Sequence, residues 1–483
     1  MLVRIAGNPG DCGSKGQMLA QHVHFIGIAG AGMSAVAKLL RDSGVNVTGS
    51  DEGVYPPISD FLATEGLPYV VGYSPANIPP QADIIVIGKN AKLVSATNAE
   101  VRAAFDSGKT ILSFPEVLTL LAEGRETAVV AGSYGKSTCA ALLAHVLAEG
   151  GVDPSFFIGA IPLTPPTSSR LGAGKIFVLE GDEYPSSNTD PRAKFLHYRP
   201  KYLMLAPLAH DHVNVYPTIE DYLRPFSQLA DIPEQMIACT EGPLSAQFLS
   251  SLRRPVLTYG LEKGDYTAAN IVWGATTHFD LMYRGAKVLQ LATSQLGEHS
   301  VQNIVGVGAF VLSQSLLDPE AFARGVASFK GVRRRLDLKT EKSAIPIFEG
   351  FGSSYEKARS AIAAVKLHFP KRRLVVAFEP HAFSWRNREA LSWYDDAFRG
   401  AETVFVYEPA TQGATTHAQV TQEEITARIA ASGIKAIALP HVDPAPVVGE
   451  TLRANDVVLL LTSGHLGGLI ETLPALAERI FPA

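Results

Sequence analysis

AVVAGSYGKSTCAALLAHVLAEGG, residues Ala128–Gly151, is the stretch whose reading decides the fold. It starts as a short β-branched strand, turns through Gly132, Ser133, Tyr134, Gly135, Lys136 and Ser137, and passes at Thr138 into a helix rich in Ala and Leu. Glycines at these offsets let the backbone curl so that successive N–H groups point into one concavity suited to phosphate oxygens. Lys136 is placed to reach β- and γ-phosphates and Ser137 to offer a hydroxyl to Mg²⁺, while the helix start adds its positive dipole end. Val130 stands where the full pattern has its outer glycine. A tight strand–helix turn with an exposed lysine is the alternative.

The chain around this stretch has 483 residues, which calls for about two to four domains rather than one core. With 46% hydrophobic and 18% charged residues it has the composition of an ordinary globular protein. A net charge of −5 gives no reason to expect nucleic acid as a partner. Cys12, Cys139 and Cys239 are too scattered for a disulfide framework or a zinc pattern, which favours a reducing compartment. No apolar run approaches the roughly 20 residues of a membrane helix. The first residues reach Gly, Pro and Asp too early for a secretory leader. A cytoplasmic protein without a membrane partner is expected, as a monomer or weak homo-oligomer.

Upstream, HVHFI at His22–Ile26 reads as a strand. Gly27, Ile28, Ala29, Gly30, Ala31, Gly32, Met33 and Ser34 follow, then a helix to about Ser43 and a strand at Val45–Thr48 leading to Asp51. Strand, glycine turn, helix, strand and terminal acid form a Rossmann arrangement. The turn would approach a pyrophosphate and Asp51 a ribose or uridine group, unless the turn is merely tight. Strands at Ile84–Ile87 and Thr110–Ser113 complete an α/β unit ending near Arg125.

Downstream, the strand Ile176–Glu180 ends in Glu180, Gly181, Asp182 and Glu183, and Tyr202–Ala206 precedes His210, Asp211 and His212. Acids and histidines at the carboxyl ends of strands beside a phosphate loop suit Mg²⁺ ligation by Glu180 and His212, against a solvated acid and a loop-bonding histidine. Alternation from Gly260 to Arg284 predicts antiparallel edge strands. His299 and Asn303 share one helix face, as ligand contacts or as second-layer core. Arg333, Arg334 and Arg335 are either solvated surface or a γ-phosphate contact at a domain junction. The last third again alternates, with strands at Ile345–Phe348, Leu374–Phe378, Thr403–Tyr407, Lys435–Leu439 and Val457–Leu461. Helices are predicted near Tyr355–Leu367, Glu389–Phe398, Gln422–Ala431 and Gly468–Ile480. The fold class is therefore α/β in three domains: a Rossmann-like unit over 1–125, a P-loop ATPase-like unit over 126–332 and a second Rossmann-like unit over 333–483.

From His22 onward this organisation resembles the Mur ligases, ATP-dependent amide ligases of peptidoglycan assembly. HVHFIGIAGAGMSAVA is similar to the subset that binds UDP-N-acetylmuramic acid. GSDEGVYPP at Gly49–Pro57, and EGDEY at Glu180–Tyr184 with DPRAKFLHYRP at Asp190–Pro200, are similar to the muropeptide-recycling branch. Phe378, Glu379, Pro380 and His381, with Ser384 and Arg386, resemble the L-alanine-adding branch. The resemblance implies that ATP phosphorylates the lactyl carboxylate of UDP-N-acetylmuramate and that the amine of a muropeptide, L-Ala-γ-D-Glu-meso-diaminopimelate, or of an amino acid attacks the acyl phosphate. Such chemistry rests on positioning and charge neutralisation. It would give Lys136 and Arg335 to the migrating phosphoryl group, Ser137, Glu180 and His212 to Mg²⁺, and His299 and Asn303 to the adenine. The turn Gly27–Ser34 and Asp51 would take the UDP-sugar, and Gly132–Thr138 the ATP phosphates.

The pattern also departs from the family. The loop reads GSYGKST, and Pro207 and Asn214 flank the Asp211-His212 pair in place of the usual Asn and Asp. The stretch that resembles a third-domain ATP contact is Glu349–Tyr355, EGFGSSY; the helix motif is His299, Ser300 and Asn303; and the last loop is Thr462–Gly468. Alternatives are an L-alanine ligase of the same chemistry and a catalytically impaired UDP-sugar-binding homologue. A nicotinamide dehydrogenase would leave the GxxGKS loop unexplained.

Overall fold

Short β-branched runs alternating with Ala- and Leu-rich helices give three separate parallel-dominated sheets in the computed structural model. It describes residues 4–5, 18–55, 58–212, 215–410 and 418–483; Cys12, Pro56, Pro57 and Asn214 lie outside them. The first sheet contains β1 (His22–Ile26), β2 (Asn46–Asp51), β3 (Tyr69–Val71), β4 (Ile84–Ile87) and β5 (Thr110–Leu112) in the order β3-β2-β1-β4-β5, all parallel. β1 and β4 are buried along their whole length, as strands inside a parallel sheet should be; β4 is wholly apolar, while β1 carries His22 and His24, whose rings bond Thr48 and Glu100. The order reverses between β1 and β4, and the glycine turn into α1 (Ala31–Asp42) sits at that switch point.

The central sheet has ten strands: β6 (Glu126–Ala131), β7 (Ser155–Phe157), β8 (Ser169–Arg170), β9 (Ile176–Glu180), β10 (Tyr202–Leu205), β11 (Gln235–Cys239), β12 (Leu257–Tyr259), β13 (Tyr266–Val272), β14 (Thr277–Tyr283) and β15 (Ala286–Thr293). Their order is β8-β7-β9-β6-β10-β11-β12-β13-β14-β15, which puts β6 between β9 and β10. The expected alternating segment forms the antiparallel edge β13–β15. From Cys139 to Leu147 every residue of α2 (Lys136–Glu149) is buried, so this helix is core on all sides. It shares one apolar cluster with α3 (Glu298–Ser313). A second cluster runs continuously from α1 to the central strands, so the first two sheets share a core.

The third sheet contains β16 (Arg335–Leu338), β17 (Ile347–Gly350), β18 (Arg373–Phe378), β19 (Thr403–Val406), β20 (Lys435–Ala438) and β21 (Asp456–Leu461). The order is β16-β17-β21-β18-β19-β20, with only β16 antiparallel. The helix expected at Glu389–Phe398 is instead a 3₁₀ segment, Arg388–Asp395. Its course is set by Trp393 and Tyr394 packing on Trp385, with ring centroids 5.8 and 5.3 Å apart, which overrides helical propensity.

Two features join the third unit to the second. The chain at Gly331–Arg333 is hydrogen-bonded to Ile161–Leu163, and beyond it Arg334 and Leu336 both hold positive φ (62° and 58°) around Arg335. Farther off, His368, at the end of α4 (Tyr355–His368), is buried against the central unit. Its Nε2 accepts the Gly297 N–H at 2.7 Å, and its Nδ1–H donates to the Gly274 carbonyl at 2.7 Å. The ring is therefore neutral with the proton on Nδ1, and burial holds its pKa below the ordinary 6.5. Protonation would remove the acceptor that Gly297 uses. A histidine with a lowered folded pKa adds stability that is complete above its unfolded pKa and lost as pH falls through the interval beneath it. The docking of α4 is thus expected to loosen below about pH 6.5. Small-angle scattering between pH 8 and pH 5 should show expansion in the wild type and none in His368→Leu; identical profiles would remove His368 as the tie.

Candidate active site

The loop from β6 to α2 is fastened from behind by Ser133. Ser133 donates its N–H to the Pro207 carbonyl at 2.9 Å. Its hydroxyl donates to Ala209 O at 2.7 Å and accepts the Ala209 N–H at 2.8 Å and the Tyr222 hydroxyl at 2.6 Å. Tyr134 points outward, 51% exposed. Thr138 is half-buried in the first turn of α2. Gly135 has φ +81°, and a Cβ there would lie 2.7 Å from Asn303 Oδ1. Asn303 is buried, and its Oδ1 also accepts the Cys139 thiol at 3.2 Å.

Asn303 therefore supports the underside of the phosphate loop, while His299, one turn earlier on α3, is exposed at the helix start. Their shared helix face does not give them a shared environment. Gly135→Ala should be costly twice over, through positive φ and through the clash with Asn303. A loss of about 2–4 kcal/mol in urea unfolding, with ATP binding abolished, is expected. A variant within about 0.5 kcal/mol of wild type would refute this account of the loop.

The carboxyl ends of β9 and β10 bring the acids and His212 to this loop. Ser137 Oγ donates to Glu180 Oε1 at 2.8 Å, and Glu180 Oε2 accepts the Gly159 N–H at 2.6 Å. Arg335 reaches across from β16 and donates Nη2–H to Ser137 Oγ at 3.2 Å. Lys136 Nζ donates to Gly132 O at 2.6 Å and to Glu183 at 2.8 and 3.2 Å. Glu183 is fully buried, and its Oε1 also lies 3.1 Å from His212 Nε2. This contact raises the His212 pKa above its ordinary value. His212 stands at φ +56°, with the Tyr184 ring 4.4 Å away. Asp182 turns to Lys194, and His210 bonds the Tyr216 carbonyl.

The five groups Lys136, Ser137, Glu180, His212 and Arg335 thus converge, but in two sets: Ser137–Glu180–Arg335 and Lys136–Glu183–His212. Glu183, the hub of the second set, is the residue that the sequence reading passed over. Among the described residues no group of three His, Cys, Asp or Glu side chains is preassembled as a metal cage. The pair Ser137–Glu180 supplies hard oxygen donors of the kind Mg²⁺ takes when it keeps waters and phosphate oxygens as its other ligands. That pair fits Mg²⁺; His212 points at a carboxylate instead.

At the first sheet, Gly27 has φ +87° and, with Ile28, donates backbone N–H to Ser50 O at 2.8 and 3.2 Å. Asp51 Oδ2 accepts the Ala29 N–H at 2.9 Å, and Tyr73 donates to Oδ1 at 3.3 Å. Asp51 therefore fixes the turn as well as ending β2. Ile28 and Met33 are core side chains, and Ser34 is buried and bonds Ala31 O. What these residues offer a ligand is backbone. Gly30 caps α1, and Gly32 lies against the Phe114 ring. Between this turn and the phosphate loop runs the segment after Glu183. Asn188 donates to the Asn90 and Leu93 carbonyls at 2.8 and 2.9 Å, and Lys89 sits 5.5 Å over the Tyr184 ring.

In the third unit, Glu349 is buried and tied to Lys339 at 2.9 Å and Arg334 at 3.3 Å. Ser354 caps α4, and Tyr355 donates to Asp396. At the carboxyl ends of β18 and β21, Glu379 accepts the Thr462 hydroxyl and, at 2.7 Å, the Leu466 N–H; His381 Nδ1 lies 3.4 Å from its other oxygen.

A switch-point glycine turn, a phosphate loop with a paired serine and glutamate, and an arginine entering from a third sheet define a nucleotide-dependent ligase. The description "Mur ligase family, catalytic domain" matches residues 22–126, and "Mur ligase middle domain" matches residues 130–311. The chain belongs to the Mur ligase family, whose members are ATP-dependent amide-bond ligases. It is 30% identical to the UDP-N-acetylmuramate–L-alanine ligase of Endomicrobium trichonymphae, over 94% of this chain and 99% of that protein. Among solved structures it is similar to the UDP-N-acetylmuramate–alanine ligase of Thermotoga maritima, with a TM-score of 0.75 at 22% identity over 95% of this chain and 99% of that one, a likeness of fold. It is also similar to the UDP-N-acetylmuramate:L-alanyl-γ-D-glutamyl-meso-diaminopimelate ligase of Neisseria meningitides, at 28% identity and TM-score 0.58 over 65% of this chain and 100% of that one. Among the described residues no helix is long and apolar enough to cross a membrane.

Proposed function

We propose that this ligase joins UDP-N-acetylmuramate to the free muropeptide L-Ala-γ-D-Glu-meso-diaminopimelate. Residues 1–125 take the UDP-sugar, 126–332 the ATP and 333–483 the acceptor. The observation that supports this reading is the stretch Glu180–Pro200, which resembles the muropeptide-recycling branch. It lines the path from the UDP-sugar turn to Lys136 through Asn188, Tyr184 and Glu183. Lys136 leaves Glu183 to hold the β- and γ-phosphates, and Arg335 follows the phosphoryl group as it moves to the lactyl carboxylate. Ser137 and Glu180 would hold Mg²⁺, which would supply charge neutralisation at the phosphates. The acceptor amine attacks the acyl phosphate carbon, and inorganic phosphate leaves from the tetrahedral intermediate.

A second reading, L-alanine as acceptor, is favoured by the names of the relatives aligned over nearly the whole chain and by Phe378–His381. Mass spectrometry of products formed from ATP, Mg²⁺ and UDP-N-acetylmuramate, with tripeptide and L-alanine in separate reactions, decides between them. A tripeptide adduct is the expected result. An L-alanine adduct alone would overturn it, and UDP-sugar binding without either adduct would leave the non-catalytic homologue.

A further inference from the structure

Arg334 and Arg335 are consecutive residues that serve opposite sides of one cleft. Arg335 donates to Ser137 of the phosphate loop at 3.2 Å. Arg334 turns the other way, into the third unit, where the backbone on either side of Arg335 is held at positive φ, 62° at Arg334 and 58° at Leu336. Neither residue takes that conformation without strain, and such strain persists only where the surrounding structure holds it, most often at functional sites. Buried Asp337 supplies that hold by accepting the Arg334 N–H at 2.7 Å.

The Arg334 guanidinium is spent on the backbone of a loop. Its Nη2–H donates to the Gly464 carbonyl at 3.1 Å and its Nη1–H to the Ser463 carbonyl at 3.5 Å, while Nε lies 3.3 Å from Glu349. Strand register explains the meeting. Arg335 pairs with Gly350 and Gly350 with Leu461, so the hinge and the start of the loop Thr462–Leu466 stand at the same end of the third sheet. From the other side Glu379 accepts the Leu466 N–H at 2.7 Å, and the Thr462 hydroxyl accepts the Gly464 N–H at 2.7 Å. A Cβ on Gly464 would fall 2.6 Å from both Glu379 Oε1 and His381 Nδ1, so only glycine lets the loop lie this close to the pair. The loop is thereby fixed at the carboxyl ends of β18 and β21, the edge at which a parallel sheet takes its ligand.

We infer that Arg334 is a positioning residue of the ligation step: it sets the loop Thr462–Leu466, and with it the acceptor, against the phosphoryl centre that Arg335 serves. The inference rests on the reading of residues 333–483 as the acceptor-binding unit. A guanidinium suits the task because its rigid fork spans two successive carbonyls, which an ammonium group does not do while keeping its contact to Glu349.

Hydroxylamine separates the two steps of the reaction. It needs no binding loop, and its nitrogen bonds the acyl carbon of the acyl phosphate as phosphate leaves, giving a hydroxamate. Wild type and Arg334→Lys are compared with ATP, Mg²⁺ and UDP-N-acetylmuramate, once with hydroxylamine and once with whichever acceptor, tripeptide or L-alanine, the wild type ligates. Lysine keeps a cation beside Glu349, so hydroxamate formation should stay within twofold. Amide formation should fall by about 10²-fold in kcat/KM for the acceptor, the scale of a misplaced reactant. Hydrogen exchange at the Gly464 and Leu466 amides should quicken in the variant, which assigns the loss to the loop. Acceptor transfer within twofold of wild type would overturn the inference, as would unchanged exchange at these amides. Equal losses with hydroxylamine and acceptor would overturn it too, because Arg334 would then serve the phosphoryl step or the fold. A wild type that forms neither hydroxamate nor amide would defeat the ligase reading and the inference with it, whereas normal transfer by the variant defeats the inference alone.

Discussion

Lys136→Ala should lower kcat/KM for ATP by about 10²–10³-fold, the scale of losing one preorganised donor to a transferring group. It should also destabilise the protein, which loss of a surface lysine would not. Lys136 is only 15% exposed and its partner Glu183 is fully buried, so removing the lysine leaves a buried carboxylate with only the His212 ring beside it. Breaking a buried pair from one side costs about 3–5 kcal/mol. The double variant Lys136→Ala/Glu183→Gln removes the stranded charge and should recover most of that stability while staying inactive. Urea unfolding of the two variants, run beside an ADP-release assay, separates the two effects. If the double variant is no more stable than the single one, Glu183 is not the counter-charge of Lys136.

That hub shows where sequence reading reaches its limit. The phosphate loop was legible because glycine, lysine and serine at fixed offsets carry their own geometry, and Arg335 was legible as a charge at a junction. Glu180 stood out as the last residue of a buried strand. Beyond the strand end the alternation of side chains stops, so nothing in Glu180-Gly181-Asp182-Glu183 says that Asp182 turns to Lys194 while Glu183 turns to Lys136. Asn303 was placed on the right helix, but only the approach of α3 to Gly135 reveals that it braces the loop. In the third unit, nothing in the sequence Glu349–Tyr355 says that Glu349 turns inward to Lys339 and Arg334.

Glu100→Ala should be the most damaging change outside the ATP site. Glu100 lies in the first turn of the helix Ala99–Asp106 and reads in sequence as an ordinary dipole-matching acid. In the fold it is fully buried and gathers four donors: His24 Nε2 at 3.0 Å, Ser50 Oγ at 2.7 Å, Ser74 N–H at 2.8 Å and Asn77 Nδ2 at 2.9 Å. Alanine would leave these donors unsatisfied inside the first unit, at a cost of about 3–5 kcal/mol. Burial pushes the Glu100 pKa up, but the hydrogen bonds from His24, Ser50, Ser74 and Asn77 outweigh it, so the folded value lies below the ordinary 4.5. A depressed carboxylate contributes stability above its unfolded pKa and loses it as pH falls through the folded value. The wild-type advantage over Glu100→Ala should therefore be complete at pH 7 and shrink below about pH 4.5. A functional effect follows without any contact to ligand. Ser50 carries both the hydroxyl bonded to Glu100 and the carbonyl that receives the Gly27 and Ile28 N–H groups, so a loosened β2 misplaces the glycine turn. UDP-N-acetylmuramate affinity should fall along with stability, while AMP-PNP binding to the central unit should hold. Urea unfolding at pH 7 and pH 4 with paired titrations of both nucleotides would show this, and a variant that keeps its UDP-sugar affinity would break the link from Glu100 through Ser50 to the turn.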